Sequence, residues 1–220
     1  MITPSGGRLA MCGRFNLRLT SAELSEFFRV LDAPDLGIRF NIAPTQPLAF
    51  LRESEGRREW AVGPWGFHPV WAKSKSQILI NARAETVLTN RTFSKSARER
   101  RCLVPASGFY EWQTAGSAKQ PYHITLKTGE PIAFAGIFDH EGALCFMTTA
   151  PNAEMAEIHD RMPVILPPAV WDHYLDAGVT EPADIEPMLC SLADESLILT
   201  AVSTIVNNAR NETPDCIRPA

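Results

Sequence analysis

Behind Thr20, apolar residues recur at Leu24, Phe27, Phe28 and Leu31, and Glu23 stands where a capping box needs it, so the spacing predicts a short amphipathic helix. The period then shortens. After a turn-rich loop at Phe40–Thr45, the segments Pro47–Glu53 and Glu59–Phe67 read as two strands. From Leu103 to Ala150 β-formers dominate, broken by turn signals at Ala115–Pro121, Lys127–Pro131 and Asp139–Ala143. That rhythm predicts an antiparallel meander, closed into a barrel or folded as a sandwich. Asn152 caps a predicted helix ending at His159 and Asp160. Pro167–Leu175 and Pro182–Leu192 read as two more helices, and Ser196–Thr204 as a last strand. With no repeat, low-complexity tract or long linker, the expected architecture is a single α+β domain with a β-rich core and short flanking helices.

Composition narrows the class. A chain of 220 residues that is 45% hydrophobic can bury a sizeable core. No apolar stretch approaches the roughly 20 residues that cross a bilayer, and the first residues lack the h-region of a secretory signal. A soluble, intracellular protein is expected. Cys12, Cys102, Cys145, Cys190 and Cys216 are widely separated, without a CxxC pair, which argues against a disulfide framework and a zinc site. Cys102 and Cys145 sit in strand-like apolar runs and read as core thiols. The net charge of −4 is unevenly distributed: residues 128–220 hold Arg161, Arg210 and Arg218 as their basic side chains among many carboxylates. Within 73–101 lie Lys73, Lys75, Arg83, Arg91, Lys95, Arg98, Arg100 and Arg101 against Glu85 and Glu99. A basic stretch in an acidic protein suits a phosphate-bearing partner. The last four charges serve equally as a solvated helix face.

Four segments carry candidate chemistry. Cys12 directly follows Met11, and residues 1–10 read as a leader or a mis-called start. If the mature chain begins at Cys12, an α-amine and a thiol sit on adjacent carbons and can close a thiazolidine on an aldehyde. The alternative is a small buried hydrophobe. In Leu79–Thr86, strand alternation puts Asn81, Arg83 and Glu85 on one face, where an amide and a guanidinium can orient a sugar and clamp a phosphate. A plain polar strand face is the competing reading. Glu111 lies among Phe109, Tyr110 and Trp112, surroundings that raise a carboxyl's pKa, unless it simply points to water. His159 stands at a predicted helix end, as a proton carrier or a cap. Trp65 and Trp71, near the basic stretch, offer faces for bases or belong to the core. His123 reads as structural.

Taken in order, MCGRFN, FNIAPTQ, LINARAET, FYEW and IHDRMPVIL resemble the SOS-response-associated peptidase (SRAP) family from Met11 to about Asn208. The resemblance implies one SRAP domain over residues 11–220. It further implies binding of single-stranded DNA or single-strand/duplex junctions, and covalent trapping of abasic sites by an N-terminal cysteine. Carried over by position, the active residues are Cys12, Asn81, Glu111 and His159, and DNA contacts fall to Arg14, Asn41, Trp65, Trp71, Arg83, Arg91 and Arg161. No metal or cofactor is implied, and a cytoplasmic, DNA-associated monomer is expected. The extension before Cys12 departs from the family pattern, because it turns the required amine into an amide; the resemblance implies self-processing of the leader, or trimming by methionine aminopeptidase where Met11 is the start. Two other readings stay open. A hydrolase of the Cys-His-Asn type needs only the thiol, and a non-catalytic reader of modified DNA leaves Glu111 and His159 without a role.

Overall fold

The computed structural model describes residues 12–74, 76–116 and 118–220. The leader and Lys75 of the basic stretch therefore lie outside the described residues. In chain order the elements are β1 (Phe15–Leu17), α1 (Ser21–Phe28), β2 (Arg39–Ile42), β3 (Pro47–Ser54), β4 (Arg57–Pro64), β5 (Asn81–Arg83), α2 (Ala84–Val87) and α3 (Ser94–Glu99). There follow β6 (Arg101–Ala106), β7 (Gly108–Ala115), β8 (Ala118–Leu126), β9 (Ile132–Phe138), β10 (Leu144–Thr149) and α4 (Ala153–Ala156). The chain continues through β11 (Met162–Pro163), α5 (Trp171–Leu175), α6 (Pro182–Ile185) and β12 (Leu197–Ala201). The Thr20/Glu23 capping box opens α1, and Arg29 in the left-handed conformation closes it.

The strands form two sheets, ordered β12-β8-β7-β1-β2 and β11-β10-β9-β6-β3-β4, with β5 added in parallel to β10. The fold is thus α+β and sandwich-like, and the alternative of a closed barrel is corrected. The expected meander is corrected too. β6 pairs with β9, while the hairpin β7–β8 between them in sequence belongs to the other sheet. Between the sheets, Phe15 meets Trp65, Phe134 and Phe146 edge-on, with ring centroids 5.5, 5.8 and 5.6 Å away. Cys102 and Cys145 lie fully buried in this core, as their sequence surroundings indicate. A second cluster of Tyr110, Val202, Val206 and Cys216 covers the opposite face of β7.

Two local expectations also change. The strand through Asn81 stops at Arg83, and Glu85 lies in the first turn of α2 rather than on a shared strand face. The helix capped by Asn152 ends at Ala156, leaving His159 and Asp160 in the turn before β11. Among the described residues, no helix is long and apolar enough to cross a membrane.

Candidate active site

The antiparallel register of β1 on β7 pairs Phe15 with Phe109 and Asn16 with Gly108, and the Tyr110 N–H donates to the Arg14 carbonyl. Extending this ladder sets Glu111 beside the residues that precede β1. The Cys12 backbone N–H donates to Glu111 Oε1 at 3.1 Å. Period-two alternation explains why this carboxyl is buried. Glu111 shares the inter-sheet face of β7 with Phe109, whereas Tyr110 and Trp112 turn toward the C-terminal cluster. At 4% exposure, Glu111 is pushed up to about 7, chiefly by burial, with Asp160 adding like-charge repulsion. Gly108 lets β7 and β8 approach closely: a Cβ there would meet His123 Nε2 at 2.4 Å. His123 itself is structural, bonded to the Asn16 amide at 2.7 Å and lowered to about 4 by burial.

The Cys12 thiol is also buried, and burial drives its pKa well above the ordinary value. Arg161 opposes that shift, so its guanidinium charge acts on the same small volume. Asn81 and Arg83 arrive on β5, which pairs Phe146 with Asn81 and Thr148 with Arg83. Trp65 supports the approach to this strand by donating its indole N–H to the Ile80 carbonyl at 3.0 Å. Arg83 is exposed. On the other side of β10, the turn before β11 carries His159. Its Nδ1 stands 2.9 Å from Asp160 Oδ1 and 3.2 Å from the Arg161 backbone N–H. Protonated, Nδ1 donates to Asp160; unprotonated, it accepts from Arg161. This imidazole thus has a partner ready in either state. Gln113 on β7 donates to the Glu157 carbonyl at 2.8 Å, tying the strand of Glu111 to the segment that leads to His159.

The remaining candidates are placed elsewhere. Trp65 is fully buried and stacks on Phe146 at 4.6 Å, so it presents no face to a base. Asn41 is likewise buried and donates to the Val206, Asn208 and Asn211 carbonyls. Its own carbonyl accepts from Arg14 at 2.8 Å, and Arg14 also reaches the Val206 and Asn207 carbonyls. This pair therefore fastens the C-terminal loop to the first strands. Trp71 is 59% exposed, its indole N–H bonded to Thr92 Oγ1 at 3.0 Å, which places it next to the exposed Arg91. Arg161 forms a two-pronged ion pair with Glu85 and donates to the Thr148 carbonyl. Sequence reasoning assigned no role to Thr148 or Asp160; the part of Thr148 depends on long-range pairing that no local pattern announces, whereas Asp160 adjoins His159 in sequence.

The geometry puts a buried carboxyl against one main-chain nitrogen, with Asp160 and Arg161 close enough to act on that pair electrostatically. Residues 11–209 match the sequence model of the family described as SOS response associated peptidase (SRAP). Abasic site processing protein YoqW of Bacillus subtilis is 33% identical over 221 residues, covering 94% of this chain and 99% of that protein. Abasic site processing protein YedK of Escherichia coli is 30% identical, with 95% and 100% covered. Among solved structures, a protein from Bacteroides thetaiotaomicron superposes with a TM-score of 0.78 at 21% identity, covering 95% of this chain and 100% of its own, a likeness of fold.

Proposed function

The chain belongs to the SOS response associated peptidase family, and on that premise we propose that it binds single-stranded DNA and traps abasic sites covalently through Cys12 once residues 1–11 are gone. The observation that carries this reading is the 3.1 Å hydrogen bond from the Cys12 nitrogen to Glu111. Removing the residues before Cys12 turns that nitrogen into an α-amine facing the Glu111 carboxyl. A free α-amine has a reference pKa of about 7.7–8.0, so part of it is neutral near pH 7, and the adjacent carboxylate can take up its remaining proton. The names of the relatives, as abasic site processing proteins, point to the same substrate.

An abasic sugar interconverts between a closed ring and an open aldehyde. His159 assists opening by giving a proton to the ring oxygen, while Asn81 holds the deoxyribose. The Cys12 amine attacks C1′, Glu111 takes its proton, and loss of water leaves an imine. The thiol then adds to the same carbon, its proton passes to the nitrogen, and a thiazolidine results. Because amine and thiol share one residue, closure is intramolecular, with effective molarities that reach roughly 10⁵ M or more in well-oriented cases. Arg83 and Arg91 supply phosphate contacts, and Trp71 a stacking face, on a strand or junction whose unpaired bases are accessible. Removal of the leader by the protein itself fits the same nitrogen–carboxyl pair, and a cytoplasmic site of action suits this substrate.

The environment of the thiol favours this reading over a Cys-His-Asn hydrolase. Such an enzyme needs a stabilised thiolate, whereas burial works against ionisation of Cys12. Cys12→Ala is expected to abolish a heat-stable band on a denaturing gel with an abasic oligonucleotide, while salt-sensitive binding persists. Undiminished crosslinking by this variant would overturn the proposal.

A further inference from the structure

At Thr148, strand β10 is flanked by Arg83 of β5 on one side and Pro163 of β11 on the other. β5 has three residues and β11 two. Main-chain bonds hold the near ends of both segments, Ile80 to Phe146 and Val164 to Met147, but Glu85 and His159 themselves lie outside the paired residues. A strap crosses them. From the residue before β11, the Arg161 guanidinium reaches over Thr148, donates to its carbonyl, and grips both carboxylate oxygens of Glu85, just past β5; the Nη2–Oε2 distance is 2.7 Å. The Arg161 main-chain N–H donates to His159 Nδ1 at 3.2 Å.

We propose that Glu85 is a positioning residue whose two-pronged ion pair with Arg161 holds the Asn81 segment and the His159 turn in register across β10, with the abasic sugar lying between them. The inference rests on the trapping reading of the site. Planar bidentate pairing suits this task, because it fixes the orientation of the guanidinium as well as its distance. The pair engages both terminal nitrogens of the guanidinium, so in the DNA-free protein Arg161 serves Glu85. Arg161 in turn holds the Glu85 carboxyl below its ordinary pKa.

The test is Glu85→Gln, a substitution of equal size at a half-exposed position, which sets an amide N–H₂ against the guanidinium and breaks the two-pronged geometry. At saturating abasic oligonucleotide, the single-turnover crosslinking rate should fall at least about tenfold, within the roughly 10²-fold that a 1 Å misplacement costs. The half-saturating DNA concentration should stay equal or drop, because a negative charge has left the surface. Glu85→Asp, which keeps the charge with a shorter reach, should recover part of the rate. A Gln variant that crosslinks within twofold of wild type, or one that loses affinity and keeps its rate, overturns the inference. The His159 ring resonances in DNA-free protein give an independent readout. They should move in Glu85→Gln, and an unchanged imidazole spectrum overturns the inference even if wild type fails to crosslink, a failure that removes the trapping reading instead.

Discussion

Replacing Glu111 by Gln, in a chain whose residues 1–11 are verified by mass as still attached, should make the protein more stable at alkaline pH. The folded carboxyl sits at about 7 against an ordinary 4.5, with burial as the main cause. A group whose pKa rises on folding binds more protons in the native state, so its contribution to stability is intact below pH 4.5 and is lost as pH climbs through 7. At 1.36 kcal/mol per pH unit, the difference amounts to about 3 kcal/mol at pH 8. Gln carries no charge and escapes this loss. Its amide must find a new hydrogen-bond partner, at a cost of roughly 1 kcal/mol, leaving a net gain of about 2 kcal/mol. For a chain of this size that corresponds to roughly 4–8 °C in Tm. Calorimetry or urea denaturation of both proteins at pH 5 and pH 8 measures it. The gain should be near zero at pH 5 and full at pH 8. A pH-independent difference, or a Gln variant less stable at pH 8, would refute the placement of an ionisable carboxyl in the inter-sheet core.

Further outcomes separate the other assignments. Trp71→Ala should weaken single-stranded DNA binding by about 1–3 kcal/mol with little change in stability, whereas Trp65→Ala should cost about 3–5 kcal/mol of stability through a core cavity; titrations and melts on the two variants check both. Arg83→Ala should weaken binding to all sequences alike and reduce the slope of log K against log salt by about 1. His123, held at about 4, binds protons more weakly folded than unfolded, so its contribution is lost as pH falls from 6.5 through 4. That loss, up to about 3 kcal/mol, runs opposite to the Glu111 effect, so His123→Gln, in a Glu111→Gln background, should flatten the acid side of the stability profile.

Much of the local structure was legible in the sequence. The Thr20/Glu23 box is a short-range device, and it formed as read. The paired strands around Pro47 and Trp60, and the last strand near Leu197, also follow from local β-former runs and turns. What sequence did not reveal is sheet membership. β6 through β10 look alike in composition, yet β7 and β8 join the sheet of β1, because β1, far upstream, pairs with β7, while β6, β9 and β10 form part of the other sheet. The site divides the same way. The type of each candidate was readable, but Trp65 and Trp71 lie six positions apart beside the same basic stretch, and long-range packing against Phe15 and Phe146 separates the core ring from the exposed one. The Glu85–Arg161 strap joins residues 76 positions apart, a pairing that charge pattern does not announce.

The central claim is that the Cys12 nitrogen, set against Glu111, is the atom that first captures the aldehyde. Intact mass spectrometry after incubation with an abasic oligonucleotide tests it on two preparations, one starting with a free Cys12 and one with that amine acetylated. The free-amine protein should gain the oligonucleotide mass less one water, and the acetylated protein should gain none. An equal covalent gain by the acetylated protein would contradict the account.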